Sequence, residues 1–207
     1  MAAPGRLITI EGIDGVGKTT LAVGLQRALG ERAIAVELLR EPGGVELSER
    51  LRDVVKDPRL TIGARAEALI YAAARAQLVE EAVRPRLDAG TWVLLDRFVD
   101  SSLAYQGAGR GLGIETIASL NALATGGLVP DRTLLLALDG AAARERAGGR
   151  AEAADRLESE HDDFFDLVSA AYEELARREP ERVRVLDASR SPEDVLVAAL
   201  AALADLL

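Results

Sequence analysis

The fold is decided by one stretch of sequence, Gly12-Ile13-Asp14-Gly15-Val16-Gly17-Lys18-Thr19, which has the spacing G-x-x-x-x-G-K-[ST] of a phosphate-binding loop. Residues 7–10 before it read Leu-Ile-Thr-Ile and predict a buried strand, whereas residues 20–29 after it carry leucines at helical spacing. Backbone N–H groups in such a loop point inward, and the dipole of the following helix favours negative charge. We therefore predict that residues 12–20, including Thr20, bind a nucleoside triphosphate.

Two side chains at the end of the loop can bind phosphate and metal. Lys18 can reach the outer phosphates, and the hydroxyl of Thr19 can bind Mg²⁺. The alternative is a glycine turn between a strand and a helix in which the lysine occurs by chance. The context of strand, loop and helix favours the phosphate site.

A second pair of candidate site residues, Asp96 and Arg97, directly follows the hydrophobic run Thr91–Leu95. A carboxylate at the end of the strand beside a phosphate loop is a usual Mg²⁺ ligand, directly or through water. Asp96 could instead be a simple strand-end cap. Arg97 would then face a phosphate, which a guanidinium binds in a bidentate way.

Composition narrows the class of protein. The 207 residues predict one domain, 1–207, and the absence of cysteine excludes disulfides and thiolate metal sites. The net charge of −9 argues against nucleic acid as the main partner. We find no signal peptide and no apolar run of the roughly 18 residues that a membrane span needs. These features predict a cytoplasmic protein without a membrane partner.

Apolar β-rich runs alternate with helical patterns along the whole chain. This alternation predicts right-handed crossovers and a parallel sheet that is covered on both faces. The expected fold is therefore α/β, a P-loop NTPase-type three-layer α/β/α arrangement with a five-stranded parallel sheet. The strands are expected at 7–10, 33–39, 91–95, 132–138 and 182–186, and the helices at 19–29, 44–55, 64–89, 114–123, 141–146, 162–178 and from 191 onward.

Two glycine-rich segments have the composition of mobile loops. One spans 107–113, and the other, roughly 144–158, is rich in arginine. Ordinary surface loops are the alternative for both. The arginines indicate that 144–158 is a short mobile lid that closes over a transferring phosphate. Within it, Arg144 and Arg146 could be only solvated helix charges.

Four motifs together resemble the bacterial thymidylate kinases, in the order of that family and over nearly the whole chain. Residues 10–20 resemble the phosphate loop of the family, and 40–44, Arg-Glu-Pro-Gly-Gly, resemble its second motif. Residues 96–107 resemble its third and most diagnostic motif. Asp155-Arg156-Leu157-Glu158 resembles the end of its lid.

The resemblance implies a deoxythymidine monophosphate (dTMP) pocket. Tyr71, where the family more often has phenylalanine, would stack on thymine, and Arg75 would donate to its O4 carbonyl and so reject cytosine. Ser102 would lie at the N3 edge of the base, and Tyr105 would crowd a ribose hydroxyl at C2′. The remaining expected contacts are Pro42 near the thymine methyl, Arg40 and Glu41 shaping the site, Gln106, Arg97, and Asp14 at the 3′-hydroxyl or the metal shell.

The resemblance also implies how the donor site is completed. Family members with glycine at the position of Gly15 supply a catalytic arginine from the lid, and Arg150 and Arg156 are the candidates here. Such an arginine contributes roughly 10³–10⁵ in rate. Lys18, Arg97, Asp14 and one of these two arginines form the expected catalytic set.

The implied activity is transfer of phosphate from ATP, with Mg²⁺, to dTMP, which gives dTDP for dTTP synthesis. The implied assembly is a homodimer. A kinase for another pyrimidine nucleotide or a nucleoside remains an alternative, as does a nucleotide-dependent switch or assembly ATPase.

Overall fold

A computed structural model describes residues 4–148, 156–157 and 160–207. Its centre is a five-stranded sheet in the order β2-β3-β1-β4-β5, in which every neighbouring pair is parallel. The predicted five-stranded parallel sheet is therefore confirmed. The strands are β1 (Leu7–Glu11), β2 (Val36–Arg40), β3 (Trp92–Asp96), β4 (Arg132–Ala137) and β5 (Val183–Asp187).

Helices connect the strands and cover the sheet, as the alternating pattern predicts. Those on the described residues are α1 (Lys18–Gly30), α2 (Glu46–Lys56), α3 (Ala64–Leu78), α4 (Arg84–Asp88), α5 (Val99–Ser102), α6 (Ile114–Thr125), α7 (Gly140–Gly148), α8 (Asp162–Arg178) and α9 (Pro192–Ala202). Two segments, Val79–Val83 and Leu103–Gly109, form wider π-helical turns.

Both faces of the central strand β1 are buried. In β1, Ile8 and Ile10 join the larger hydrophobic cluster, whereas Leu7 joins a smaller one with Val93 and Leu95 of β3. Successive side chains of a strand point to opposite faces, so the two clusters are the cores above and below the sheet. This arrangement confirms the three-layer architecture and explains why the central strands are apolar throughout.

The structure divides the helix expected at 64–89 into three parts. Between α3 and α4 the π-helical turn Val79–Val83 widens the backbone just before Pro85. Proline lacks an N–H and its ring clashes with the carbonyl four residues earlier in a regular helix, and a wider turn relieves that clash. The periodicity located the helical region but did not reveal this local change of pitch.

The glycines of 107–113 serve packing as well as turning. Gly107 and Gly109 lie in the second π-helical turn, where a Cβ on Gly109 would come 2.5 Å from Cε2 of Phe164 and one on Gly107 3.1 Å from Cδ1 of Ile114. Close approach of these neighbours requires residues without a side chain. Loop mobility was therefore an incomplete interpretation of this glycine pattern.

The expected lid, 144–158, lies mostly outside the described residues. The structure describes the end of α7, then Arg156 and Leu157. Among the described helices, none is long and apolar enough to cross a membrane.

Candidate functional site

The phosphate-binding loop connects β1 to α1, as predicted. Gly12, Gly15 and Gly17 have φ angles of 134°, 86° and 99°, a region that side-chain-bearing residues rarely adopt. A Cβ on Gly12 would also lie 2.6 Å from the carbonyl oxygen of Leu136. The glycines therefore allow the backbone to turn tightly against β4 before α1 begins at Lys18.

The side chain of Lys18 is buried inside the loop. Its side chain is only 7% exposed, and Nζ donates to the carbonyl oxygens of Gly12 (3.1 Å) and Ile13 (2.9 Å). Burial, together with the nearby charge of Arg97, lowers the pKa of Lys18. The loop thus holds this cation where its backbone N–H groups can also meet an anion.

Arg97 completes a cationic pair on the same side of the loop. Its Nη2 lies 2.7 Å from Oδ1 of Asp14, and its Nη1 donates to the carbonyl of Gly12 (3.0 Å) and to Ser101 Oγ (3.2 Å). The φ of Arg97 is 69°, a conformation that costs a non-glycine residue about 1–3 kcal/mol. These contacts stabilise the strained backbone conformation of Arg97 and orient its guanidinium toward the loop.

Asp96 and Thr19 meet beside this pair. The register places Asp96 of β3 next to Ile10 of β1, and Thr19 Oγ1 donates to Asp96 Oδ2 at 3.3 Å. A hydroxyl and a carboxylate, with phosphate oxygens and waters, are the oxygen ligands that Mg²⁺ uses. The described residues contain no cluster of three or more His, Cys, Asp or Glu side chains for a metal.

Register also brings the end of β2 to this edge. Arg40 is paired with Asp96, so the carboxyl ends of β2, β3 and β1 lie side by side. The Arg40 side chain itself turns to Glu49, with two contacts of 2.9 Å. Pro42 follows as a buried residue in a cis peptide bond.

Arg75 is the most completely satisfied cation described for the site. It is 1% exposed, and its guanidinium nitrogens make five contacts with acceptor atoms. Nε and Nη2 contact Glu41 Oε2 at 2.7 and 2.6 Å, and Nη2 also donates to the carbonyl of Phe98 at 2.9 Å. Nη1 donates to Ser102 Oγ at 2.9 Å and to Oδ1 of Asn121. An approaching base carbonyl must therefore share or displace one of these partners.

Glu41 and Asn121 both accept hydrogen bonds from Arg75, contacts that the sequence did not reveal. Burial raises the pKa of Glu41, although Arg75 opposes this. Glu41 Oε1 is buried without a hydrogen-bond partner among the described residues. The sequence expected Glu41 to shape the acceptor site, whereas Asn121 lies in an apolar helical stretch with no motif that could have marked it.

The other predicted acceptor residues lie on α3 and on the π-helical turn Leu103–Gly109. Tyr71 is half-buried against the larger core, four residues before Arg75 on the same face of α3. Tyr105 is buried, with its ring 5.1 Å from the Arg97 guanidinium carbon. Gln106 is also buried, but its amide donates to Glu67 at 2.9 Å.

A buried carboxyl that sequence reasoning missed shares the partner Ser101 with Arg97. Glu11, at the end of β1, accepts hydrogen bonds from the Phe98 backbone N–H (2.7 Å), Ser101 Oγ (2.6 Å) and the Tyr172 hydroxyl (2.9 Å). Burial, with a contribution from the charge of Asp100, raises the pKa of Glu11 to about 7. The only sequence signal was a charged residue that extends an apolar strand.

The structure describes only one of the two arginines that were expected to act from the lid. Arg150 lies outside the described residues. Arg156 Nη2 contacts Glu67 Oε2 at 2.5 Å, and its Nε donates to the carbonyl of Val55 at 2.9 Å. The catalytic role expected for one of them stays a prediction.

Comparison with known proteins agrees with this arrangement. The sequence profile described as "Thymidylate kinase" matches residues 10–198. The chain is 46% identical to a thymidylate kinase of Halorhodospira halophila, over 100% of this chain and 97% of that protein. It is 50% identical to one of Clavibacter michiganensis (94% and 92%) and 48% identical to one of Deinococcus radiodurans (94% and 93%).

These matches cover the loop, the Asp96-Arg97 pair and the helix that carries Arg75. They extend over nearly the full length of both this chain and its relatives, so the likeness concerns the whole domain and not the phosphate loop alone. The chain belongs to the thymidylate kinase family.

Proposed function

We propose that the protein transfers the γ-phosphoryl group of ATP to dTMP and forms dTDP. One observation carries the proposal: Ser101 and Ser102, neighbours in α5, accept hydrogen bonds from Arg97 and Arg75 respectively. The arginine beside the phosphate loop and the buried arginine of the acceptor side are thereby fixed to consecutive residues. This short link suits a reaction in which two nucleotides meet end to end.

The reaction is a direct in-line transfer. A phosphate oxygen of dTMP attacks the γ-phosphorus, the bond from that phosphorus to the β–γ bridging oxygen breaks, and ADP leaves with the electron pair. Catalysis is positioning and neutralisation of charge, without a covalent enzyme intermediate. Mg²⁺, when bound with ATP near Thr19 and Asp96, adds positive charge at the phosphates.

On the donor side, residues 12–20 enclose the phosphates of ATP through backbone N–H groups. Lys18 and Arg97 neutralise the charge of the transferring group, and a lid arginine, Arg150 or Arg156, is the third cation. The support is the buried position of Lys18 in the loop and the 2.7 Å contact between Arg97 and Asp14.

On the acceptor side, Tyr71 stacks on thymine and Arg75 with Ser102 reads its edge. Because Arg75 already has five acceptor contacts, we assign the O4 contact to an Nη1 donor that is shared with Ser102 or Asn121. Tyr105 excludes a ribose hydroxyl. The remaining proposed contacts are Asp14, Arg40, Pro42, Arg97 and Gln106.

We also infer that the protein acts as a cytoplasmic homodimer. Val54, Leu69 and Leu123 are exposed apolar residues on α2, α3 and α6, three helices that pack side by side. A second copy of this surface would remove them from water. The absence of cysteine fits a reducing compartment.

A phosphotransfer assay over the nucleoside monophosphates tests the substrate assignment. We expect ATP-dependent formation of dTDP with dTMP preferred over dCMP. Equal turnover of the two would favour a kinase of broader pyrimidine specificity. Hydrolysis of ATP that is indifferent to dTMP would favour a switch or assembly ATPase.

A further inference from the structure

Glu67 is a fully buried carboxylate of α3, and the expected site does not use it. It accepts hydrogen bonds from three side chains that are distant in sequence. They are Gln106 (2.9 Å), Arg110 (3.1 Å from Nε and 3.0 Å from Nη2) and Arg156 (2.5 Å). These hydrogen bonds, chiefly that from Arg110, lower the pKa of Glu67 against the opposing effect of burial.

The partners of Glu67 belong to separate elements around the site. Gln106 follows Tyr105 in the π-helical turn, and Arg110 stands just after that turn. Arg110 also contacts Glu160 (2.7 Å) and lies 4.8 Å from the ring centre of Phe164 in α8. Glu67 therefore joins α3 directly to the π-helical turn and to Arg156, and through Arg110 to Glu160 before α8.

The position of Glu67 on its own helix connects this junction to the acceptor pocket. Glu67, Tyr71 and Arg75 are spaced by four residues and so share one face of α3. The guanidinium of Arg156 is held by Glu67 and by the carbonyl of Val55, and its backbone N–H donates to the carbonyl of Lys56 at 3.4 Å. The described contacts of Arg156 thus tie it to α3 and α2.

We propose that Glu67 is a positioning residue that fixes Arg156 and the π-helical turn to the helix that selects the base. Arg156 then acts through Glu67 and not on the transferring phosphate. This inference rests on the proposed kinase reaction. Loss of the junction should misplace Arg156 and the π-helical turn relative to the bound nucleotides, with an effect on turnover rather than on formation of the fold.

Glu67→Gln keeps the shape of the side chain and removes its charge. The matched control is Glu37→Gln, which removes another arginine-paired carboxylate, the partner of Arg86, on β2 at the edge of the sheet. We expect kcat of Glu67→Gln to fall about tenfold with smaller changes in the KM of ATP and dTMP, and the control to keep wild-type kcat. An unchanged kcat in Glu67→Gln would overturn the proposal.

A double-mutant cycle separates anchoring from direct catalysis. If Arg156 acts through Glu67, then Arg156→Gln and the double variant should both resemble Glu67→Gln, with kcat lowered about tenfold. If Arg156 instead acts on phosphate independently, the two losses should multiply to about a hundredfold. The multiplicative result would contradict an anchoring role.

Hydrogen–deuterium exchange provides a readout that does not depend on activity. We expect Glu67→Gln to raise exchange selectively in residues 103–113, because the variant weakens the hydrogen bonds of Gln106 and Arg110 to α3. A uniform rise over the molecule, or none in 103–113, would count against the junction. If the wild type transfers no phosphate to dTMP, the proposed function fails, while this measurement still tests the role of Glu67.

Discussion

Oδ1 of Asp14 lies 2.7 Å from Nη2 of Arg97 and 3.5 Å from Nζ of Lys18. One carboxylate oxygen therefore contacts two cations, one at the start of α1 and the other directly after β3. Such a position is electrostatically suited to a phosphate oxygen, which would meet the same two charges. The relationship links the loop that follows β1 to the arginine that follows β3.

Replacing Lys18 with alanine should abolish turnover while dTMP binding stays within about threefold of wild type, because the ammonium serves the donor phosphates. Calorimetry with dTMP and a phosphotransfer assay measure the two effects. Arg27→Ala, on an exposed position of the same helix, is the control and should behave as wild type. Loss of dTMP binding in folded Lys18→Ala would contradict this division of roles.

Replacing Arg75 with alanine should reduce both the preference for dTMP over dCMP and the stability of the fold. The change removes the donor that we propose for thymine, and it leaves the buried Glu41 and Asn121 without their cation. Breaking a buried ion pair in this way costs about 3–5 kcal/mol. We expect a lower free energy of unfolding, measured in urea, and a smaller ratio of kcat/KM for dTMP to that for dCMP.

Ser102→Ala is the companion variant if Arg75→Ala does not fold. It keeps the pair between Arg75 and Glu41 and removes one acceptor of the arginine. We expect it to fold and to narrow the preference for dTMP over dCMP. A wild-type preference in both folded variants would refute the base-selecting role of this pair.

Glu11 makes stability depend on pH. Its pKa is raised from 4.5 to about 7 in the folded state, so the folded protein binds more protons than the unfolded chain between these values. The stability that this group contributes is complete below about pH 4.5 and is lost as the pH rises through about 7. The loss should amount to about 3 kcal/mol, since one pKa unit corresponds to about 1.4 kcal/mol.

Glu11→Gln removes this titration. The free energy of unfolding of the wild type minus that of the variant should therefore decrease between pH 5 and pH 8, as measured by urea denaturation. A pH-independent difference would mean that Glu11 does not titrate in this range in the folded protein.

The exposed apolar residues of α3 and α6 predict where the dimer forms. Leu123→Glu, at a side chain that is 83% exposed, should convert a dimer to a monomer because a charge cannot be buried there without a partner. Sedimentation measures the change. Val197→Glu, at a similarly exposed residue of α9, should leave the dimer intact; dissociation by this control alone would place the interface elsewhere.

Sequence patterns predicted the fold well because its signals are local. The apolar run before Gly12 and the leucines after Thr19 set the strand and the helix, and residues 91–95 predicted β3 within one residue. Asp96 and Arg97 were found because they directly follow a strand whose neighbour carries the loop. The change of pitch before Pro85 was missed because hydrophobic periodicity does not resolve a single wide turn.

The buried polar junctions were harder to predict. Glu41 and Asn121 meet Arg75 across 34 and 46 residues, and Glu67 meets Arg156 across 89. No spacing rule connects side chains that are so far apart, because their meeting depends on how the helices pack. Only the finished fold shows that nearly all the donors of these arginines are already engaged.

The most direct test is to incubate the protein with ATP, Mg²⁺ and each nucleoside monophosphate in turn, and to separate the products. We expect dTDP and ADP in equal amounts from dTMP, and dTMP turned over far faster than dCMP. ADP formed at the same rate with or without dTMP, and no dTDP, would contradict the assignment of this site as a dTMP kinase.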